Sequence, residues 1–189
     1  VPGIIEWPAR KLKGRTSIPV ATFDIYPTLL SLAGVELYAP HPLDGMDVSG
    51  IITGSITKRS KPMGFWHKLQ GGQGTRSDQI QKAIMEKQQA GAPLPHDPVR
   101  MRKDVDEFLQ FPEETTTGHA AWNDWPWKLH RIKGTKFELY NLSDDPMEKT
   151  DLSKNPEQAQ RVKQMQQELD AWMRSVIRSI NGKDYQESK

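Results

Sequence analysis

Five histidines, His41, His67, His96, His119 and His130, are the residues of this 189-residue chain best suited to move a proton or hold a metal. No two of them have the i, i+4 spacing of a helical zinc site, and no cysteine accompanies them. The lack of cysteine also excludes disulfide frameworks, thiolate metal sites and cysteine nucleophiles within these residues. His130 falls inside a predicted hairpin strand, where packing or plain surface exposure is the default role. His67 and His119 differ, because each borders a strand and an insertion, a place where pocket walls are often built. Taken alone, neither outweighs a structural role.

Asp44, Gly45 and Asp47 suggest the start of a calcium loop, but such a loop needs carboxylates at several alternate positions and a closing Glu. These are missing, so the stretch reads as a structural turn. In SDDPMEKTDL, Asp145-Pro146 reads as turn chemistry and Glu148 as a helix-start or capping carboxylate. No metal ligand is assigned. Trp122, Trp125 and Trp127 make either a stacking platform for sugars or bases, or the core of a small sheet under a helix. Trp125 and Trp127 share a parity facing a long helix if the strand runs through Pro126, which assigns them to the core. Trp122 stays open between the two readings. There is no Gly-x-Ser-x-Gly elbow, no Gly-x-x-x-x-Gly-Lys loop and no Gly-x-Gly-x-x-Gly turn, so the chain holds no complete catalytic constellation.

The elements that must position these residues follow from the apolar pattern. VPGIIEWP has almost no polar alternation, as in a strand covered on both faces, and reads as the continuation of a larger protein. In ATFDIYPTLLSLAG, Asp24 is the expected N-cap, Pro27 falls in the first turn, Gly34 follows the last turn, and Ile25, Leu29 and Leu32 share one face. MGFWHK predicts a short strand. Residues 69–118 change in composition: a Gln- and Lys-rich helix after Ser77, APLPHDP, and a charged helix after Asp97-Pro98, read together as a surface insertion. WKLHRI and KFELYNL flank Lys133-Gly134-Thr135 as an antiparallel hairpin, with Phe137 and Leu139 on one face and Glu138 and Tyr140 on the other. Asn155-Pro156 opens the longest helix, about 156–181, with apolar residues at three- and four-residue steps from Val162 to Ile180. A net charge of +2, with Lys and Arg spread among Asp and Glu, gives no basic stripe for nucleic acid. No stretch approaches the roughly 20 apolar residues of a membrane span, and mean hydropathy is −0.71.

Four of these segments, in order, resemble the carboxy-terminal third of the sulfatase family, in the alkaline-phosphatase superfamily. VPGIIEWPARKLKG is similar to its apolar strand ending in Trp-Pro, ATFDIYPTLLSLAGV to its Asp-(two residues)-Pro-Thr-Leu helix, and LDGMDVSGII to its Leu-Asp-Gly loop. WKLHRI with FELYNLSDDPMEKTDLS resembles its strand pair and the ending Leu-Tyr-(Asp/Asn)-Leu-x-x-Asp-Pro-x-Glu-x-x-(Asn/Asp)-Leu. The resemblance implies an α/β fold: the end of a large mixed or parallel central sheet over residues 1–60, then a small antiparallel subdomain over 61–189 packed by a long helix. It also implies a formylglycine nucleophile, made from Cys or Ser in Cys/Ser-x-Pro-x-Arg, and a calcium ion.

SIPVA and SKPMG approach that motif but carry Ala21 and Gly64 where Arg is needed, so both are rejected. The nucleophile and metal ligands are then expected upstream, and the fragment alone is expected to be inactive. Relatives often carry Arg where this chain has Asn123, which withholds any specificity borrowed from them. The resemblance implies hydrolysis of sulfate esters of a carbohydrate, a periplasmic or secreted location, and substrate contacts from His119 and His67, with Trp122 and Lys128 behind them. A phosphodiesterase or phosphatase of the same superfamily, or a noncatalytic sugar-binding module, are the alternatives.

Overall fold

The computed structural model describes residues 3–12, 14–36, 43–67, 76–92 and 111–185. Four strands, β1 (Met63–His67), β2 (His119–Asp124), β3 (Trp127–Ile132) and β4 (Lys136–Asn141), form an antiparallel meander in the order β1-β2-β3-β4. The β3–β4 hairpin closes on Lys133 and Gly134, both left-handed at φ 49° and 80°. Ile132 pairs with Lys136, so the loop is Lys133-Gly134-Thr135, closed by the Thr135 N–H bonding Ile132 O, and Gly134 adopts its positive φ without a Cβ penalty.

One face of the sheet is covered by the longest helix among the described residues, Ala159–Ile180. Asn155 starts it, its side-chain oxygen accepting the Glu157 N–H at 3.0 Å. Met165, Leu169, Met173 and Ile177 recur every fourth residue and meet Ala120, Leu129 and Leu139 of the sheet in one buried cluster. Trp127 flanks this cluster, with the Arg161 guanidinium 4.3 Å above its ring. At the β1 edge the helix comes closer still. A Cβ on Gly64 would lie 2.2 Å from the Trp172 ring, so only glycine lets that indole lie flat on the strand.

The other α-helices among the described residues are α1 (Ile25–Leu32), α2 (Ser49–Thr53) and α3 (Arg76–Gln89), and the long one is α4 here. The expected helix of the insertion is α3. His41, His96, the APLPHDP stretch and the charged helix after Pro98 lie outside the described residues. The α1 end matches its motif, with Val35 N–H bonding Leu30 O and Gly34 N–H bonding Ser31 O. None of the described helices is long and apolar enough to cross a membrane.

Several expectations are corrected. Residues 3–7 form no strand: Ile4 is 95% exposed, and among the described residues no strand lies beside them to satisfy their ladder bonds. Ile25, Leu29 and Leu32 share one face of α1 as their spacing predicts, and that face is turned outward, with Pro27 and Thr28 buried instead. The reason is polar. Thr28 donates to Asp24 O and accepts the Val48 N–H, so the helix turns its hydroxyl side inward.

Asp24 does not cap α1 with its side chain; its carboxylate accepts the Ala21 and Met46 N–H groups and both arms of Arg59. No strand runs through Pro126, which has no N–H to give. The ladder stops at Asp124 and resumes at Trp127, leaving Trp125 in the turn. Glu148 starts no helix; it sits at φ 54° and pairs with Lys128.

Candidate functional site

Strand alternation gives the sheet a second face, turned away from α4. The assignment of faces is fixed by contacts. Leu129 joins the α4 cluster, Arg131 bonds Asp170 on α4 at 2.7 Å, and Trp122 Nε1 bonds Glu168 at 2.8 Å, so these residues define the covered side. Their strand neighbours at odd steps point the other way. Register then lays out the open face: Met63, Asn123, Lys128 and Tyr140 in one cross-strand row, and Phe65, Ala121, His130 and Glu138 in the next. Beside them His67 stands directly opposite His119.

Three of the four residues singled out from sequence, His67, His119 and Lys128, therefore share this open face. Trp122 does not. Its indole N–H is used by Glu168 and its ring lies 6.1 Å from Trp172, which settles it as packing under the helix. His130, for which the sequence predicts a packing or surface role, lies beside His119 on the same face. Their rings lie 5.8 Å apart. The signal was present in the chain: a turn at 125–126 pairs residue 121 with 130, one diagonal step from 119.

The electrostatics of the face follow from its pairs. Lys128 Nζ meets both Glu148 oxygens, at 2.7 and 2.9 Å, so its charge is held in place and partly offset. Burial, the neighbouring Lys128 charge and His119 hold the His130 imidazole below its ordinary pKa, against the opposing pull of Glu138 and Glu148. His130 is thus neutral near pH 7, with one ring nitrogen donating and the other accepting. Tyr140 donates to Glu138 at 2.8 Å, and burial together with that carboxylate raises its pKa, keeping the phenol protonated. The Lys136 ammonium and the Tyr140 hydroxyl hold the Glu138 carboxyl below its usual range. The face offers imidazole chemistry at neutral pH, while Tyr140 is buried with its hydroxyl engaged by Glu138 and Met63 in the same row is buried too.

The aspartates once considered for calcium have other work. Asp44 accepts the Trp172 indole N–H at 3.1 Å, and Asp47 accepts the Ser49 N–H and hydroxyl at the start of α2. Asp145 accepts the Thr150 N–H, and Asp151 ties the following loop to β4 through the Leu139 N–H. Among the described residues no group of three His, Cys, Asp or Glu is placed to hold a metal ion. The described residues therefore do not fit a calcium site.

No family model matches the chain. Over 57 residues it is 33% identical to steryl-sulfatase from Rattus norvegicus, a match covering 30% of this chain and 10% of that protein. The chain is similar to the carboxy-terminal portion of sulfatases. Among solved structures, this sulfatase-like chain aligns with a protein, BT4656, determined with its substrate D-glucosamine-2-N,6-O-disulfate. The TM-score is 0.47 at 16% identity, covering 87% of this chain and 25% of that one. It also aligns with a phosphonate monoester hydrolase of Agrobacterium radiobacter, at TM-score 0.41 and 18% identity, covering 82% of this chain and 24% of that one. The sulfatase-like chain thus spans between a tenth and a quarter of the length of these proteins.

Proposed function

We propose that this chain is the carboxy-terminal part of a sulfatase, an enzyme that hydrolyses sulfate esters of a carbohydrate. The observation that carries the reading is the ordered set of four sulfatase-like segments, joined by the 33% identity to steryl-sulfatase. In this reading the formylglycine nucleophile and calcium are supplied by residues outside these 189. The open sheet face contributes a wall of the substrate pocket, with His119 and His67 as hydrogen-bonding groups and Lys128 behind them. What supports a carbohydrate over a sterol is the character of that wall. Imidazole groups suit a polyhydroxylated substrate, whereas a sterol ring system needs continuous apolar surface.

The test is a substrate panel offered to the enzyme that carries this chain: an aryl sulfate, a sulfated monosaccharide, a steryl sulfate and an aryl phosphate. The expected result is turnover of the sulfates, with the sugar preferred over the sterol. The 189 residues alone are expected to turn over none of them. Preference for the phosphate would move the enzyme to the phosphatase branch. Turnover by the purified fragment would overturn the placement of the nucleophile outside it.

A further inference from the structure

His119 of β2 and His130 of β3 meet on the open face, with ring centroids 5.8 Å apart. Register sets His67 directly opposite His119 and Glu138 directly opposite His130. Lys128 stands two residues before His130 on the same side of β3. The carboxylates that face this pair are already committed. Glu138 takes the Lys136 ammonium on one oxygen and the Tyr140 hydroxyl on the other, and Glu148 takes Lys128 on both. Asp151, whose charge acts on Lys136, accepts from Leu139 and Ser153. Lys128 and Lys136 are thus offset by Glu148 and Glu138, and none of these carboxylates is left to take up a new positive charge.

Two imidazoles at this separation do not both bind a proton without cost. The first imidazolium stands beside Lys128, and the second then stands beside the first, so like charges face each other across neighbouring strands. We propose that the His119–His130 contact is an acid-sensitive joint between β2 and β3, closed while the imidazoles are neutral and loosened when both are protonated. The direction of titration agrees with the geometry. Burial, then Lys128 and His119, hold His130 below its ordinary pKa, against the weaker pull of Glu138 and Glu148. The unfolded chain therefore takes up this proton more readily than the folded one. The contribution to stability is complete above 6.5, the ordinary histidine value, and is lost as pH falls through it toward the lower folded value. Carboxylates of ordinary or lowered pKa stay ionised across that window, which separates the joint from the Asp24–Arg59 pair. The joint depends on the fold alone and not on what the enzyme acts on.

Histidine-ring NMR on the 189-residue chain, between about pH 8 and pH 5, reads the joint directly. His130 is expected to titrate below 6.5 in the wild type and to move upward in His119→Gln, where the neighbouring imidazole is gone. Urea denaturation at about pH 7.5 and about pH 5.5 reads the consequence. The wild-type midpoint should fall on acidification, and fall clearly less in His119→Gln and in His130→Gln, each of which keeps a polar side chain that cannot charge. Circular dichroism checks the fold of both variants, and the wild-type titration decides even where a variant folds poorly. His130 titrating at 6.5 or above, a His130 titration unmoved in folded His119→Gln, or an equal acid loss in the wild type and both variants would each overturn the joint.

Discussion

Asp24→Asn is expected to destabilise this chain by about 3–5 kcal/mol, the scale for leaving one member of a buried ion pair without its partner. Asp24 and Arg59 are 1% and 2% exposed, and two bonds of 2.7 and 2.8 Å join them. The same carboxylate accepts the Ala21 N–H at 2.8 Å and the Met46 N–H at 2.9 Å, so it pins three separate segments to one point. Asn keeps the size of the side chain but removes the charge, and a guanidinium is then buried unpaired. Urea denaturation of both proteins measures the cost, and a loss below about 1 kcal/mol would contradict it.

The pH dependence has a definite sign. Burial pushes the Asp24 carboxyl upward, but the Arg59 guanidinium and the two backbone N–H groups pull harder, so its pKa lies below the ordinary value. The stabilisation is therefore complete above the unfolded pKa of about 4 and is lost as pH falls through the lower folded value. The stability gap between wild type and Asp24→Asn should be full at neutral pH and narrow only in acid.

Leu169→Ala is expected to cost about 2–5 kcal/mol, the range for removing a buried leucine from a packed core. Leu169 has no exposed surface and lies between Met165 and Met173 on the face that meets Leu129 and Leu139, both equally buried. The substitution acts on the cover of the sheet and leaves the open face untouched, so His119 and His130 should keep their ring contact in any fraction that stays folded. Thermal or chemical unfolding gives the magnitude. A change within about 0.5 kcal/mol would mean that α4 does not seal this sheet as the packing requires.

The elements with regular periodicity were legible in the sequence. The α4 repeat at 165, 169, 173 and 177, the Lys133-Gly134 turn and the strand at Phe65 all carry local signals that tertiary contacts reinforce. What failed lay where polar contacts set the orientation. Ile25, Leu29 and Leu32 form a proper apolar stripe, yet the Asp24–Arg59 pair and the Thr28 hydroxyl rotate α1 so that the stripe faces out. A bidentate pair spanning residues 24 and 59 leaves no periodic trace in sequence.

The same holds for the candidate site. His67 and His119 were singled out by their position at a border, and the ladder indeed sets them opposite each other. His130 carries no such signal, because membership of a strand says nothing about which face it occupies until the turn fixes the register. Trp122 was left open for that reason, and one residue of parity sent it to the helix side.

In the proposed reading His119, on the open face beside His130, is a group that meets the sugar. In the full enzyme, kcat/KM for His119→Ala and wild type should be compared on a sulfated sugar and on a small aryl sulfate. The sugar value is expected to fall about 10- to 100-fold, the equivalent of one lost polar contact of roughly 1.4–2.8 kcal/mol. The aryl sulfate value should fall much less, because that substrate does not reach this wall. Equal losses on the two substrates, or none on either, would contradict the assignment of the open face to substrate recognition.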